Sequence, residues 1–320
     1  MRVGGRGSPR TPRAAHASGS TRSAPRPRHH TRRRLAAPRH RSMAESTSMT
    51  TTLPRQARLP INRCNLPAVI LGGLTYQAHP VPLELDGVRA FHRELFVLLA
   101  AVACHRERAA LFVDYMAAHF CLDDLEQAGL ALGRVRKSRR NANYLRMVRG
   151  WSFDADGREG AVLKHWVETR FGLRARYHAG PLDGRSSEAY QQYVAAASHG
   201  LYATNALEAQ LDLLYTYCQY ELIRQHPEET HLTLYRGSNR LEAHELLGRG
   251  DDGGRLVLLN NLNSFTSDRE RADEFGDYIL TAEVPLPKIC CYNGLLPGML
   301  KGEDEFVVIG GVYSVRIETL

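Results

Sequence analysis

The fold is decided near the C terminus, where residues 302–317 read GEDEFVVIGGVYSVRI. After an acidic turn, this stretch is rich in Val, Ile and aromatic residues, which favours a β-strand. Three further segments of strand character precede it, at 231–235, 256–259 and 278–284. The last third of the chain is therefore predicted to be β-rich, with Gly- and Asn-rich turns between the strands.

The chain ahead of this region has a helical pattern. Apolar residues recur at helical spacing after Asp86, a candidate N-cap, and the longest pattern is interrupted near Gly200. Helices are predicted over 88–102, 107–120, 122–132, 158–171 and 187–226. A helical half that is followed by strands is typical of an α+β fold.

Composition divides the chain into three parts. Residues 1–48 form a basic tail with too few apolar residues to bury a core, so the tail is predicted to be disordered. Residues 49–85 carry five prolines, which forbid a long helix, and are expected to be mostly extended and packed on the domain. Residues 86–320 are predicted to form a single domain, helical over 86–227 and β-rich over 228–320.

The positive charge is concentrated in the tail. The sequence has 42 basic and 34 acidic residues, yet the first 42 positions hold twelve arginines and no acidic residue, so the rest is mildly acidic. Three interpretations of the tail stay open: a basic arm for nucleic acid or anionic membranes, a transit peptide, or a start assigned too early, with Met43 or Met49 as the true start.

Several classes of protein are disfavoured. No run of eighteen apolar residues is present, so no membrane span is predicted. The six cysteines include no CxxC pair and the histidines show no ligand spacing, so no metal site is predicted and reduced thiols in a cytoplasmic protein are expected. A non-catalytic nucleic-acid-binding protein that uses the tail is the alternative of another class, and the acidic body argues against it.

Three short elements of the β-rich part carry candidate chemistry. Arg236 and Gly237 end a predicted strand, where a guanidinium can bind phosphate and a glycine lets a ligand approach the backbone. The second element supplies hydroxyls and aromatic walls, from Ser264, Phe265, Ser267 and Phe275.

The third element is acidic and leads the last strand. Strand alternation would place Glu303 and Glu305 on one face and Asp304 on the other. Two carboxylates on one face suit a reaction in which positive charge develops, such as one that passes through an oxocarbenium-like ribosyl cation.

In this order the three elements resemble the arginine-specific mono-ADP-ribosyltransferases, whose pattern is an arginine, a Ser-x-Ser on a strand and a Glu-x-Glu. Arg236, Ser267 and the pair Glu303 and Glu305 match it. The second serine is missing after Ser267, and Ser264 is the alternative hydroxyl.

Residues 59–88, 232–238 and 300–311 further resemble the bacterial dinitrogenase reductase ADP-ribosyltransferases, and the resemblance covers about residues 59–320. It implies two small bent β-sheets around an NAD cleft. It also implies transfer of ADP-ribose from NAD to one arginine of the nitrogenase iron protein, which switches nitrogen fixation off, and control by a nitrogen-signal protein of the PII type.

The resemblance also implies a role for each residue. Arg236 would hold the NAD pyrophosphate, and the Gly237 backbone would face the nicotinamide amide. Ser267 would fix the rotamer of Glu305, which would contact the ribose 2′-hydroxyl and stabilise the cation. Glu303 would hold the acceptor guanidinium. An NAD glycohydrolase, or a transferase for another protein arginine, is the nearest alternative.

Overall fold

The structure is a computed structural model that describes residues 51–122, 142–201, 205–239, 245–250, 252–300 and 304–319. All of these residues belong to one compact unit, Ser42–Leu320. The tail at 1–48, nearly all of the helix predicted at 122–132, and Glu303 lie outside the described residues.

The helices fill the first part of the chain, and a six-stranded sheet follows, so the prediction of an α+β fold with a β-rich end is confirmed. The described α-helices are α1 Ala68–Leu71, α2 Leu74–Ala78, α3 Val88–Phe91, α4 Arg93–Ala100, α5 His105–His119, α6 Tyr144–Phe153, α7 Arg158–Phe171, α8 Glu188–Gly200, α9 Ala206–Gln225 and α10 Arg269–Asp273. Among the described residues, no helix is both long and apolar enough to cross a lipid bilayer.

One predicted helix needs correction, and one helix was not predicted. The helix predicted from 88 begins after Gly87, which has a φ of 75°, and it breaks at His92 into α3 and α4, so Asp86 is not its cap. Helix α6 was not predicted at all. Its apolar residues follow one helical face, and the side chain of Asn143 caps it by accepting from the backbone N–H of Leu145 at 2.8 Å.

The segment expected to be mostly extended contains α1, α2 and a 3₁₀ turn at Arg55–Ala57. Each is too short for the prolines between them to interfere. The amide of Gln77 links this segment to the sheet, because it donates to the carbonyls of Glu283 and Ser314 at 3.0 and 3.1 Å and accepts from the Ser314 N–H at 2.7 Å. The segment is therefore part of the packed domain.

The strands are β1 His231–Ser238, β2 Glu245–Arg249, β3 Arg255–Thr266, β4 Tyr278–Pro285, β5 Ile289–Tyr292 and β6 Glu305–Thr319. All pairings are antiparallel, in the order β2-β3-β1-β4-β6-β5, and β3 also pairs with β6. Strand β6 pairs with β3 and β5 through its first part and with β4 through its last part. The resemblance implies two small sheets, but the described strands form one six-stranded sheet, in which the long β6 pairs with β3, β4 and β5.

Helix α7 is buried along most of its length and packs against α6, α8 and β3. It is fixed to β3 where the register with β6 shifts between Leu259 and Leu262. In that irregularity the buried side-chain amide of Asn261 donates to the carbonyls of Lys164 and Leu173 at 2.7 and 3.1 Å. The contact holds α7 beside the strand that carries Ser264.

Candidate active site

Two adjoining cavities lie where β1, β3 and β6 meet the C-terminal end of α6. Their volumes are about 540 and 530 Å³, which is the usual size of a site for a small organic ligand. Glu305 borders the first, which we call the glutamate cavity, and Lys164 borders the second, which we call the lysine cavity. The residues common to both are Trp151, Ala155, Arg236, Gly237, Ser264 and Phe275.

The carboxylate of Glu305 is held by two hydroxyl groups. Glu305 is the first residue of β6 and pairs with Thr266 of β3. The hydroxyl of Ser264 donates to Oε1 at 2.6 Å, and the hydroxyl of Ser152, on the last turn of α6, donates to Oε2 at 2.5 Å. Both oxygens therefore accept a charge-assisted hydrogen bond, one from a strand and one from a helix, which fixes the orientation of the carboxylate.

The serine that contacts Glu305 is Ser264 and not Ser267, which the resemblance first suggested. Side chains alternate along a strand, so Ser264 and Thr266 share a face with Glu305. Ser267 lies beyond the end of β3, is exposed and makes no hydrogen bond to Glu305. Ser264 and Thr266 have the spacing of the family's Ser-x-Ser pattern, with threonine in the second place.

Trp151 fixes the hydroxyl of Ser264. Its indole Nε1–H donates to the Ser264 oxygen at 2.9 Å, and the residue is only 3 % exposed. Because this oxygen accepts from Trp151, its single proton is directed to Glu305. Helix α6 thus contacts the glutamate twice, directly through Ser152 and indirectly through Trp151.

Arg236 of β1 lines both cavities. One terminal nitrogen donates to the carbonyl of Ser264 at 2.7 Å, while its buried Nε–H has no acceptor among the described residues. Burial lowers the pKa of Arg236, and the charges of Glu305 and Asp156 oppose that change. The guanidinium stays charged over the physiological range and has donor capacity left for an anionic ligand.

Gly237 and the two predicted aromatic residues surround Arg236. A Cβ atom at Gly237 would lie 2.0 Å from the carbonyl oxygen of Ala272, so the glycine allows α10 to pack on β1. Phe275 follows that helix, is 62 % exposed and lines both cavities. Phe265 borders the glutamate cavity but is only 3 % exposed and belongs to the hydrophobic core.

The acidic turn differs from the predicted alternation. Strand β6 begins at Glu305, and Asp304 has a φ of 54°, in the left-handed region, where Asp is tolerated better than most residues. The alternation of side chains along β6 therefore does not extend back through Asp304. It does not predict the face on which Glu303 lies. The proposed role of Glu303 rests on the family pattern alone.

A cluster of charged side chains lines the lysine cavity. The ammonium of Lys164, on α7, donates to Oδ1 of Asp156 at 2.8 Å and contacts Nδ1 of His178 at 3.3 Å. Burial and the charge of Lys164 lower the pKa of His178, so this ring is neutral at physiological pH. Within the described ranges, no group of three or more His, Cys, Asp or Glu side chains is placed to hold a metal ion.

The site combines groups with complementary chemistry. A carboxylate fixed by two donors can stabilise positive charge at a nearby carbon, and a guanidinium with an unused N–H can hold a phosphate. An arginine on β1, a hydroxyl pair on β3 and a glutamate at the start of β6 resemble the site of the mono-ADP-ribosyltransferases. No metal ligand is needed for such a transfer.

Comparison with known proteins identifies the family within the mono-ADP-ribosyltransferase class. Residues 61–317 match the family described as dinitrogenase reductase ADP-ribosyltransferase. The NAD(+)–dinitrogen-reductase ADP-D-ribosyltransferase of Rhodospirillum rubrum is 40% identical over 262 residues, which cover 81% of this chain and 95% of the relative. The chain belongs to the dinitrogenase reductase ADP-ribosyltransferase family. No solved structure matches it significantly.

The structure brings most of the predicted site residues together around the two cavities. Ser267 lines neither cavity, and Glu303 lies outside the described residues. The residues that the sequence analysis missed are all in the helical part: Trp151, Ser152, Asp156 and Lys164. For Trp151 a signal was present, because the apolar residues of α6, to which it belongs, recur at the spacing of a helix that packs on one face.

Proposed function

We propose that this protein transfers ADP-ribose from NAD to an arginine side chain of dinitrogenase reductase and thereby inactivates it, which regulates nitrogen fixation. Family membership and the name of the Rhodospirillum rubrum relative support the reaction and the protein substrate. The observation on which the chemistry rests is the Glu305 carboxylate, fixed by Ser264 and Ser152 in a cavity that Arg236 also lines.

NAD would occupy both cavities, with its nicotinamide ribose beside Glu305 and its diphosphate at Arg236. The unused Nε–H of Arg236 is buried at the junction of the cavities, where an anionic ligand would supply the missing acceptor. The exposed ring of Phe275, at the same junction, offers an apolar surface to a flat base.

The reaction breaks the bond between ribose C1′ and the nicotinamide nitrogen, and nicotinamide leaves with the electron pair. Positive charge then develops on the ribose, and the fixed Glu305 carboxylate stabilises it while it binds the 2′-hydroxyl. A guanidino nitrogen of the acceptor attacks C1′ and loses a proton. Because free guanidinium is almost never neutral, the attack needs a carboxylate partner, and we assign that role to Glu303.

Partners and location follow from the same proposal. The acceptor is the nitrogenase iron protein, and a PII-type nitrogen-signal protein would regulate the transfer, as the family resemblance implies. Both proteins would meet this enzyme in the cytoplasm.

Incubation with labelled NAD and dinitrogenase reductase tests the proposal. We expect label on one arginine of the acceptor and an equal amount of released nicotinamide. Free ADP-ribose as the main product would indicate an NAD glycohydrolase, and no nicotinamide release would contradict the proposal. The variant Glu303→Gln should lose most of the transfer but retain slow NAD hydrolysis, because the first glutamate serves the acceptor. An equal fall in both rates would refute that division of roles.

A further inference from the structure

The lysine cavity contains a buried cation that the proposed chemistry at Glu305 does not use. Lys164 lies on α7, and its side chain is only 3% exposed. Glu305 does not line this cavity, whose charged lining residues are Lys164, Asp156 and Arg236. A buried lysine costs folding free energy through desolvation, which calls for a reason beyond packing.

The hydrogen bonds of Lys164 leave donor capacity. An ammonium group has three protons. One is donated to Asp156 at 2.8 Å and a second is directed to the ring nitrogen of His178 at 3.3 Å. The third has no oxygen or nitrogen acceptor among the described residues, and the ammonium lies 5.8 Å from the centre of the Trp151 ring. The group therefore borders the cavity with a proton still available for a ligand.

Lys164 and Arg236 line the same cavity, together with Trp151. The Trp151 ring lies beneath Lys164, while its indole nitrogen bonds Ser264, whose carbonyl accepts from Arg236. Burial lowers the pKa of Lys164, the charge of Asp156 opposes this, and the charge of Arg236 adds to it. Two cations thus share a cavity in which Asp156 is the one acidic residue of the described lining, an excess of positive charge that suits an anionic ligand.

We propose that Lys164 is a second phosphate-binding residue, which with Arg236 holds the diphosphate of the ADP portion of NAD in the lysine cavity. This inference rests on the proposed function. The cavity does not suit the acceptor, because an arginine guanidinium would meet two cations there. Asp156 holds Lys164 in place through the 2.8 Å contact and limits the positive charge of the site.

Binding of ADP-ribose, measured by titration calorimetry, tests the inference without turnover. Loss of a charge-assisted hydrogen bond in Lys164→Met should weaken ADP-ribose binding about 10- to 100-fold. Inhibition by nicotinamide, which has no phosphate, should stay unchanged. Arg158→Met removes one positive charge from an exposed position of the same helix and should leave both measurements unchanged.

Asp156→Asn separates a phosphate site from a structural ion pair. If Lys164 serves the ligand, this variant keeps or strengthens ADP-ribose binding, because it removes a negative charge near the phosphates. If the pair is structural, both variants weaken binding alike and also weaken nicotinamide inhibition, which overturns the inference. Wild-type binding of ADP-ribose without any transfer would instead contradict the proposed function and leave the result on Lys164 standing.

Discussion

The strand-rich and the helical part of this protein contribute to the site in different ways. The strands supply Arg236, Ser264 and Glu305, each within a short segment whose pattern is legible in the sequence. The helices supply Trp151, Ser152 and Lys164, whose roles are visible only once α6 and α7 pack against β3 and β6. The strand residues are found in short sequence motifs, whereas the helical residues reach Glu305 and Ser264 from distant parts of the chain.

This difference has a physical origin. A carboxylate can stabilise a cation wherever it is placed, but its efficiency depends on a fixed orientation. The two hydroxyls that hold Glu305 lie 153 and 41 residues before it. Substitution of Glu305 should therefore have the largest effect on the rate, while substitutions of the hydroxyl groups that orient it should reduce the rate by smaller factors.

Glu305→Gln should have the largest effect. The change is nearly isosteric and removes the charge to which we assign stabilisation of the ribosyl cation, so the rate of transfer should fall on the order of 100-fold or more. Glu283→Gln, on the exposed side of β4, is the matched control and should retain full activity. Near-normal nicotinamide release by the first variant would refute the assignment of Glu305.

Ser264→Ala and Ser267→Ala form the next test. Ser264→Ala removes one of the two donors to Glu305 and leaves the Trp151 N–H without its acceptor, so kcat should fall about 10- to 100-fold. Ser267→Ala changes an exposed side chain and should leave kcat and the melting temperature unchanged. The opposite ranking of the two variants would restore Ser267 to the role that the family pattern first suggested.

The sequence predicts the α+β order, the helix 158–171 and the strands at 231, 278 and 306 well, because their periodicity is regular. Strand β5 has only four residues, and β2 is short and largely exposed, so neither shows a clear pattern. The site, like the fold, is predictable only in part. Arg236 and Glu305 come from the motif itself, while the choice between two serines required the register of β3 against β6.

Contacts between distant segments were beyond prediction for a different reason. Nothing local distinguishes Lys164 from a solvated helical lysine, since its burial depends on Asp156, His178 and the wall formed by Trp151. Hydrophobic periodicity identifies which face of a helix is buried, but it does not identify the partner. The role of a buried polar side chain such as Lys164 therefore depends on which residues of other elements it contacts.

Ser152→Ala should produce a smaller loss. The Ser152 hydroxyl lies 2.5 Å from Glu305 and 3.3 Å from the carbonyl of Val148, so its single proton is donated to the carboxylate. Because the residue is exposed, water can replace part of this contact, and kcat should fall about 3- to 10-fold with KM for NAD unchanged. Ser152→Thr keeps the hydroxyl and should recover most of the rate. A threonine variant as slow as alanine would show that the hydroxyl does not orient Glu305.

Lys288→Met should leave the chemistry intact and change only the pH dependence of stability. Lys288 lies between β4 and β5, is fully buried and donates to the carbonyl of Gly310 at 2.9 Å. Burial lowers its pKa from 10.5 to about 7. Between these two values the unfolded chain binds more protons than the folded one, so this lysine makes the free energy of unfolding rise with pH, by at most about 1.4 kcal/mol per pH unit.

Urea unfolding at pH 7, 8 and 9 measures this contribution as a difference between two proteins. Wild-type stability minus that of Lys288→Met should increase with pH. The neighbouring Tyr76, Tyr313 and Cys290 have a raised pKa through burial, which lowers stability at alkaline pH, but they are present in both proteins and cancel in the difference. A difference that is constant across this range would mean that Lys288 is protonated in the folded protein, with the Gly310 carbonyl and the Tyr313 ring, 4.5 Å away, stabilising its charge.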